Sequence, residues 1–259
     1  MLSAVGLLTV LPVRGGRFDR RSAPAMMLWA PVAVLPIAIL VAAVIFGLRL
    51  LQLPSLVAGL IGFALLALGT RAFHLDGLAD TVDGFGSGWD RQRALSIMRS
   101  GDVGPMGVVA LIIVAVLQAY GFGMLAGDAG GAVTVVVIIC LSRTALAVGC
   151  ARPVPSARPD GLGATVAGSV PTAAVVVVGL ASLLVLAAVG VLDRGPSGAQ
   201  AGVIDGVIDG VIAGCAGYAG CLLVIRHAVK RLGGITGDVL GACVEIAATI
   251  MVVGMLLRY

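Results

Sequence analysis

Charge is what this chain has least of. Only 12% of its 259 residues are Asp, Glu, Lys or Arg and 59% are apolar, whereas a soluble domain averages roughly 25% charged and about 45–50% apolar. Water is therefore not its main solvent. Aromatic residues make up 4%, and no basic stripe is interleaved with them, which argues against a nucleic-acid partner. The net charge of +4 suits anionic lipid headgroups or phosphorylated substrates instead. Paired cysteines are missing too. Cys140, Cys150, Cys215, Cys221 and Cys243 lie singly in apolar runs, with no CxxC and no metal-ligand spacing, so they read as small buried residues. A signal-peptide order is also absent, because the apolar stretch Met1–Val13 precedes the arginines and carries no A-x-A site.

Long apolar runs are plentiful. A helix needs about 20 apolar residues to cross the hydrocarbon core, and runs of that size lie at 26–51, 55–75, 104–126, 131–151, 171–192, 206–226 and 237–257. The expectation is an all-α polytopic integral membrane protein of about seven transmembrane helices plus short interfacial helices, with residues 1–259 forming a single membrane-embedded domain. Met1–Val13 is too short to cross and reads as an interfacial or tucked-in helix. An inside N-terminus collects 13 of the 17 Lys and Arg on the cytoplasmic side: Arg14, Arg17, Arg20, Arg21, Arg71, Arg91, Arg93, Arg99, Arg152, Arg158, Arg226, Lys230 and Arg231. Arg49, Arg194 and Arg258 fall outside, and Arg143 sits within a span. The positive-inside rule thus places the N-terminus and the charge-rich loops on the cytoplasmic side of the cell membrane. A local repeat, Val203-Ile-Asp205-Gly and Val207-Ile-Asp209-Gly, falls at the opposite end of the sixth run and reads as peripheral.

Chemistry concentrates in a few polar stretches. In His74-Leu-Asp76-Gly-Leu-Ala-Asp80-Thr-Val-Asp83-Gly84, the acids are spaced i, i+4, i+7, within about 60° of arc on one helical face. Three such carboxylates repel one another, and no Lys or Arg lies between positions 72 and 90 to relieve them. A divalent cation does so, and Mg²⁺ prefers hard oxygen ligands from one or two carboxylates plus substrate phosphates. Asp76, Asp80 and Asp83 are the expected metal ligands. Gly77 and Gly84 follow two of them and would let a substrate approach the backbone. His74 lies about 200° away from Asp76 on a regular helix, where it is an acid–base candidate or a boundary histidine bonded to a neighbouring helix.

Trp89-Asp-Arg91-Gln-Arg93-Ala-Leu-Ser-Ile-Met98-Arg99 reads as an amphipathic interfacial helix anchored by Trp89. Its arginines, Arg93 and Arg99 among them, either clamp a pyrophosphate or face anionic lipid. Ser100-Gly-Asp102-Val-Gly104-Pro-Met-Gly107 then opens a helix whose exposed amides could receive an anion. Arg143, deep in an apolar run, needs a cavity or a carboxylate. The loop Ala151-Arg152-Pro-Val-Pro-Ser-Ala-Arg158-Pro-Asp160-Gly-Leu-Gly163 reads as lining a substrate. Lys230-Arg231-Leu-Gly-Gly-Ile-Thr236-Gly-Asp238 leads into the last apolar run, which carries Glu245 on the same helical face as Asp238. An acid that far inside a span is a functional-site candidate by default, and Gly241 between the two permits close helix packing.

Together these stretches closely resemble the cobalamin 5′-phosphate synthase (adenosylcobinamide-GDP ribazoletransferase) family. The likeness runs from Leu8-Thr-Val-Leu-Pro12 through the acidic motif, Ala94-Leu-Ser-Ile-Met98 and Ala151-Arg152-Pro to Leu232-Gly-Gly-Ile-Thr236-Gly-Asp238-Val-Leu-Gly241-Ala-Cys-Val-Glu245. One departure is Arg99-Ser-Gly-Asp102, where many members carry a Lys-Asp-Ser-Arg-like stretch. The resemblance implies an Mg²⁺-dependent transferase that joins adenosylcobinamide-GDP to α-ribazole or its 5′-phosphate and releases GMP. It also leaves room for a homo-oligomer or a complex with other corrinoid enzymes. Carried onto this chain, it implies catalytic roles for Asp76, Asp80, Asp83, His74 and Asp238. Substrate contacts would come from Arg93, Arg99, Arg143, Arg152, Lys230, Thr236 and Glu245. Two other classes fit less well. CDP-alcohol phosphotransferases share Asp76-Gly-Leu-Ala but then require an arginine where Asp80 stands. A secondary transporter using Asp80 and Glu245 as proton sites would not gather its acids on one side.

Overall fold

The computed structural model describes residues 1–13, 19–193 and 200–257. Arg14, Arg17, Arg194 and Arg258, used above in the loop count, lie outside them. No strand occurs among the described residues, only the isolated bridges Ala151–Val170 and Ser156–Ile235. The helices are α1 Leu2–Leu8, α2 Ala23–Ala33, α3 Leu35–Leu50, α4 Ser55–Gly69, α5 Phe73–Gly86, α6 Arg91–Ile97, α7 Pro105–Leu125, α8 Ala129–Ser142, α9 Thr144–Gly149, α10 Gly161–Val166, α11 Thr172–Asp193, α12 Gln200–Leu232 and α13 Gly237–Leu256.

Among the described residues, six stretches are long and apolar enough to cross a membrane: Ala23–Leu50, Pro105–Leu125, Ala129–Gly149, Thr172–Leu192, Gly202–Leu232 and Gly237–Leu256. The bent pair α4 and α5 makes a seventh if the two count as one span. The protein is an all-α polytopic membrane protein. Two of the expected spans are broken helices with identifiable causes. Pro31 inside α2 and Pro36 in the first turn of α3 remove amide donors around Val34, which interrupts the ladder. At the α8–α9 junction, Ser142 Oγ and Arg143 Nη1 both donate to the Ile139 carbonyl, so side chains satisfy what the backbone ladder leaves.

The second span departs most from expectation. The chain turns by 92° between α4 and α5, because Arg71 and Ala72 adopt left-handed backbone conformations with φ of 55° and 52°. Non-glycine residues pay about 1–2 kcal/mol each there. The Arg71 guanidinium holds the corner by donating to the Gly6 and Thr9 carbonyls at 3.2 and 2.6 Å. This also ties α1 against the elbow, and α1 is accordingly tucked in, with Ala4 and Leu8 buried.

Helix α13 is the axis of the bundle. It is the most buried candidate span and packs against α5, α7, α8, α9 and α12. After its corner, α5 runs across the first turns of α7 and α13. Gly77 lies so near α13 that a Cβ there would stand 2.7 Å from the Asp238 carbonyl oxygen, and one at Gly241 would stand 3.0 Å from that of His74. The closeness at Gly77 serves helix packing, not the substrate approach expected from the sequence, and Gly84 likewise meets the Met98 side chain. On the far flank, Gly206 and Gly210 of the Val-Ile-Asp-Gly repeat abut the backbone of Gly190 and Leu186. The repeat is a close-packing stripe between α11 and α12.

Candidate active site

The polar end of the bundle is assembled by backbone pairing between remote loops. The Ile235 amide donates to the Pro155 carbonyl and the Ala157 amide to that of Ile235, both at 2.9 Å. Arg91 clamps the same junction, its Nε donating to the Leu232 carbonyl at 2.6 Å and its Nη2 to that of Ala157 at 2.8 Å. These bonds bring the 151–163 loop over the start of α13. There Thr236 Oγ1 accepts from the Val239 amide at 3.2 Å, capping the helix, and donates to Asp238 Oδ2 at 3.1 Å.

A cavity of about 140 Å³ lies under this loop. Asp76 and Phe73 of α5, Arg158 and Asp160 of the loop, and Thr236 and Asp238 of α13 line it. It can hold reacting phosphates but is smaller than the ~300–1,000 Å³ typical of whole-ligand pockets. Asp80, half-buried one turn after Asp76, lies within the electrostatic reach of Asp76, Asp238, Asp83 and Arg158. Arg158 is the cation among these acids. Burial pulls its guanidinium below the ordinary range, and Asp238 is the strongest of the neighbours opposing that shift. Arg158 Nη2 donates to the Leu95 carbonyl at 2.7 Å, while its Nε is buried with no partner among the described residues. A second, basic groove of about 470 Å³ shares Arg158 and is lined also by Arg91, Gln92, Ser96 and Arg99. Arg99 forms a 2.6 Å ion pair with Asp160 at the rim between the two, both side chains exposed and the pair correspondingly weak.

Asp83 is used differently from its two neighbours. Its Oδ2 accepts from the Gly104 amide at 2.7 Å and its Oδ1 from the Gly107 amide at 2.9 Å. The anion expected at the start of α7 is therefore the protein's own carboxylate, pinning α5 to α7. Among the described residues, no group of three or more His, Cys, Asp or Glu side chains is set to hold a metal ion by itself.

Comparison with known proteins places the chain in a family. The family model described as cobalamin-5-phosphate synthase matches residues 1–256. The chain belongs to the cobalamin-5-phosphate synthase family. It is an enzyme, a transferase of cobalamin biosynthesis. Curated relatives named adenosylcobinamide-GDP ribazoletransferase include one from a Nocardioides species, 43% identical over 94% of this chain and 92% of its own length. A second, from Frankia casuarinae, is 38% identical over 98% and 93%, and a third, from Bradyrhizobium diazoefficiens, is 37% identical over 92% and 86%. No solved structure matches this one.

In this cobalamin-5-phosphate synthase family member, several polar residues singled out in the sequence stand apart from the cavity. Arg143 and Glu245 are buried in the bundle at 1% and 5% exposure and lie within each other's electrostatic reach. Gln118 Nε2 donates to Glu245 Oε2 at 2.8 Å and to Thr249 Oγ1 at 3.1 Å. His74, 2% exposed, lies within the electrostatic reach of Arg143 and edge-on to the Phe73 ring, and neither of its ring nitrogens has a partner among the described residues. The carboxylate that Arg143 needed is thus an internal one, and His74 lines neither the cavity nor the basic groove. Arg93 and Arg152 are exposed and line none of these pockets. Lys230 lies with its Nζ 5.9 Å from the Trp89 ring centroid, and Arg231 lies over the same ring at 5.0 Å. Sequence reasoning named the 151–163 loop but missed Arg158 itself. No local sequence signal separates it from Arg152; the pairing of Ala157 with Ile235 is what carries it to the acids.

Proposed function

We propose that this chain is an adenosylcobinamide-GDP ribazoletransferase, joining α-ribazole or its 5′-phosphate to activated cobinamide with release of GMP, at the cytoplasmic face of the cell membrane. The observation that carries the reading is the meeting of Asp76, Asp238 and Arg158 in a cavity sized for phosphates, with Asp80 within electrostatic reach of all three. The excess of Lys and Arg in the loops on that side supports the orientation.

Phosphoryl transfer needs positioning and charge neutralisation more than covalent chemistry. A free ribose hydroxyl of the acceptor, not the 5′ position that already bears phosphate in α-ribazole 5′-phosphate, attacks the cobinamide-side phosphorus, a P–O bond forms, and the bond to the GMP oxygen breaks. Asp238 is the base we assign to the hydroxyl proton. It lines the cavity and Thr236 fixes its rotamer, whereas both oxygens of Asp83 are engaged by amides. Arg158 offers its guanidinium to the pyrophosphate, and the basic groove beyond it suits the departing nucleotide.

The donor set fits Mg²⁺ as a guest shared with substrate: Asp76 and Asp80 stand on one face without a lysine between them, and hard oxygens from phosphates would complete the shell. When bound, Mg²⁺ would supply neutralisation of the pyrophosphate charge and of the leaving GMP. Purified protein in liposomes, given adenosylcobinamide-GDP, should release GMP only when α-ribazole and Mg²⁺ are both present. Release that is indifferent to ribazole, or corrinoid movement without GMP, would sink the reading.

A further inference from the structure

A third cavity, about 350 Å³, lies in the elbow between α4 and α5 and is bounded on one side by α7. Phe63, Leu75, Ala79, Leu111 and Ala115 form its walls, and Asp76 is the one charged group lining it. Asp76 also lines the phosphate-sized cavity under the 151–163 loop. It is therefore the shared edge of a polar chamber and an apolar one.

We infer that this apolar chamber receives the aromatic base of the hydroxyl-bearing acceptor nucleoside and selects bases poor in hydrogen-bonding groups. The inference rests on the transferase reading above. A ring seated against Phe63 and the aliphatic walls would leave its sugar at Asp76, at the boundary where the acceptor hydroxyl must meet the phosphate. A purine carries ring nitrogens and an amino group that these walls cannot satisfy, and unmet polar groups cost affinity. An apolar bicyclic ring loses nothing there. A lipid acyl chain would also find the walls favourable, but its anionic headgroup would meet the Asp76 carboxylate at the mouth. A nucleoside hydroxyl, in contrast, donates to a carboxylate. The 92° corner is what creates the chamber, since a straight continuation of α4 would leave no recess between it and α5.

The test uses the full-length protein in nanodiscs with the variant Ala115→Leu, which fills the chamber from α7 without touching the acidic residues. KM for α-ribazole should rise about tenfold, equivalent to about 1.4 kcal/mol, while KM for adenosylcobinamide-GDP stays within about twofold. The wild type should prefer α-ribazole over the matching adenine nucleoside by about tenfold or more, and Leu111→Ala should relax that preference. Direct titration of α-ribazole binding separates the two readings. If wild type binds α-ribazole and Ala115→Leu weakens binding, yet no GMP is ever released, the chamber stands and the transferase reading fails. If GMP is released but both KM values are unchanged in Ala115→Leu and in Leu111→Ala, the chamber holds lipid and the inference is overturned. Should Ala115→Leu fail to fold by its melting profile, Leu111→Ala and the base preference of the wild type decide alone.

Discussion

Replacing Asp83 by Asn separates a structural carboxylate from a catalytic one. The two oxygens of Asp83 accept from the Gly104 and Gly107 amides at 2.7 and 2.9 Å, in a buried position at the first turn of α7. Asn keeps one acceptor oxygen and turns an NH₂ group toward the other amide, so one charge-assisted bond is lost. Such bonds contribute about 1.5–3 kcal/mol. At roughly 2–4 °C per kcal/mol for a chain of this size, the melting temperature should fall by about 3–12 °C. Activity per folded molecule, and its Mg²⁺ dependence, should stay within about threefold of wild type. Asp80→Asn should do the reverse, abolishing GMP release with little change in melting. The assay is a thermal melt in detergent alongside a Mg²⁺ titration of GMP release. An Asp83→Asn protein of normal stability whose Mg²⁺ requirement rises more than tenfold would refute the capping role and return Asp83 to the metal set.

Other changes bear on the interior. Glu245→Ala leaves Arg143 buried without its carboxylate, and uncompensated buried charges cost about 3–5 kcal/mol. It should therefore express poorly or melt far below wild type, with Glu245→Gln milder because the bond from Gln118 can be remade. Gly77→Ala would set a Cβ 2.7 Å from the Asp238 carbonyl oxygen. Because α13 backbone cannot yield cheaply, both melting temperature and kcat should drop, by about 1–3 kcal/mol in stability. Asp205→Asn, at the end of the bundle remote from the acids, should leave GMP release within about twofold of wild type, measured in the same liposome assay.

The membrane spans could be read from hydropathy because lipid demands a continuous apolar run, and the expected 26–51 and 237–257 runs correspond to Ala23–Leu50 and Gly237–Leu256. The corner at Arg71–Ala72 could not be read. Left-handed backbone there is enforced by the bonds from Arg71 to Gly6 and Thr9, while neither Arg nor Ala carries the residue-type signal that Gly or Asn would. The helical phase of Asp76, Asp80 and Asp83 was legible, but their division of labour was not. Only the arrival of α7 gives Asp83 two amide partners, and only the pairing of residues 155–157 with Ile235 delivers Arg158 to the other acids. Glu245 shows the opposite case. A deep acid pointed to a substrate contact, yet Glu245 lies in the bundle interior away from the cavity, its electrostatic partner Arg143 is 102 positions away in the numbering, and no local pattern links them.

In the proposed centre, acids of α5 and α13 form one phosphate-and-metal site. Electron paramagnetic resonance of Mn²⁺, standing in for Mg²⁺ with adenosylcobinamide-GDP present, addresses it directly. A bound-ion signal in wild type that is lost or strongly weakened in both Asp80→Asn and Asp238→Asn is the result expected. A signal lost in Asp80→Asn but untouched in Asp238→Asn would contradict a joint site.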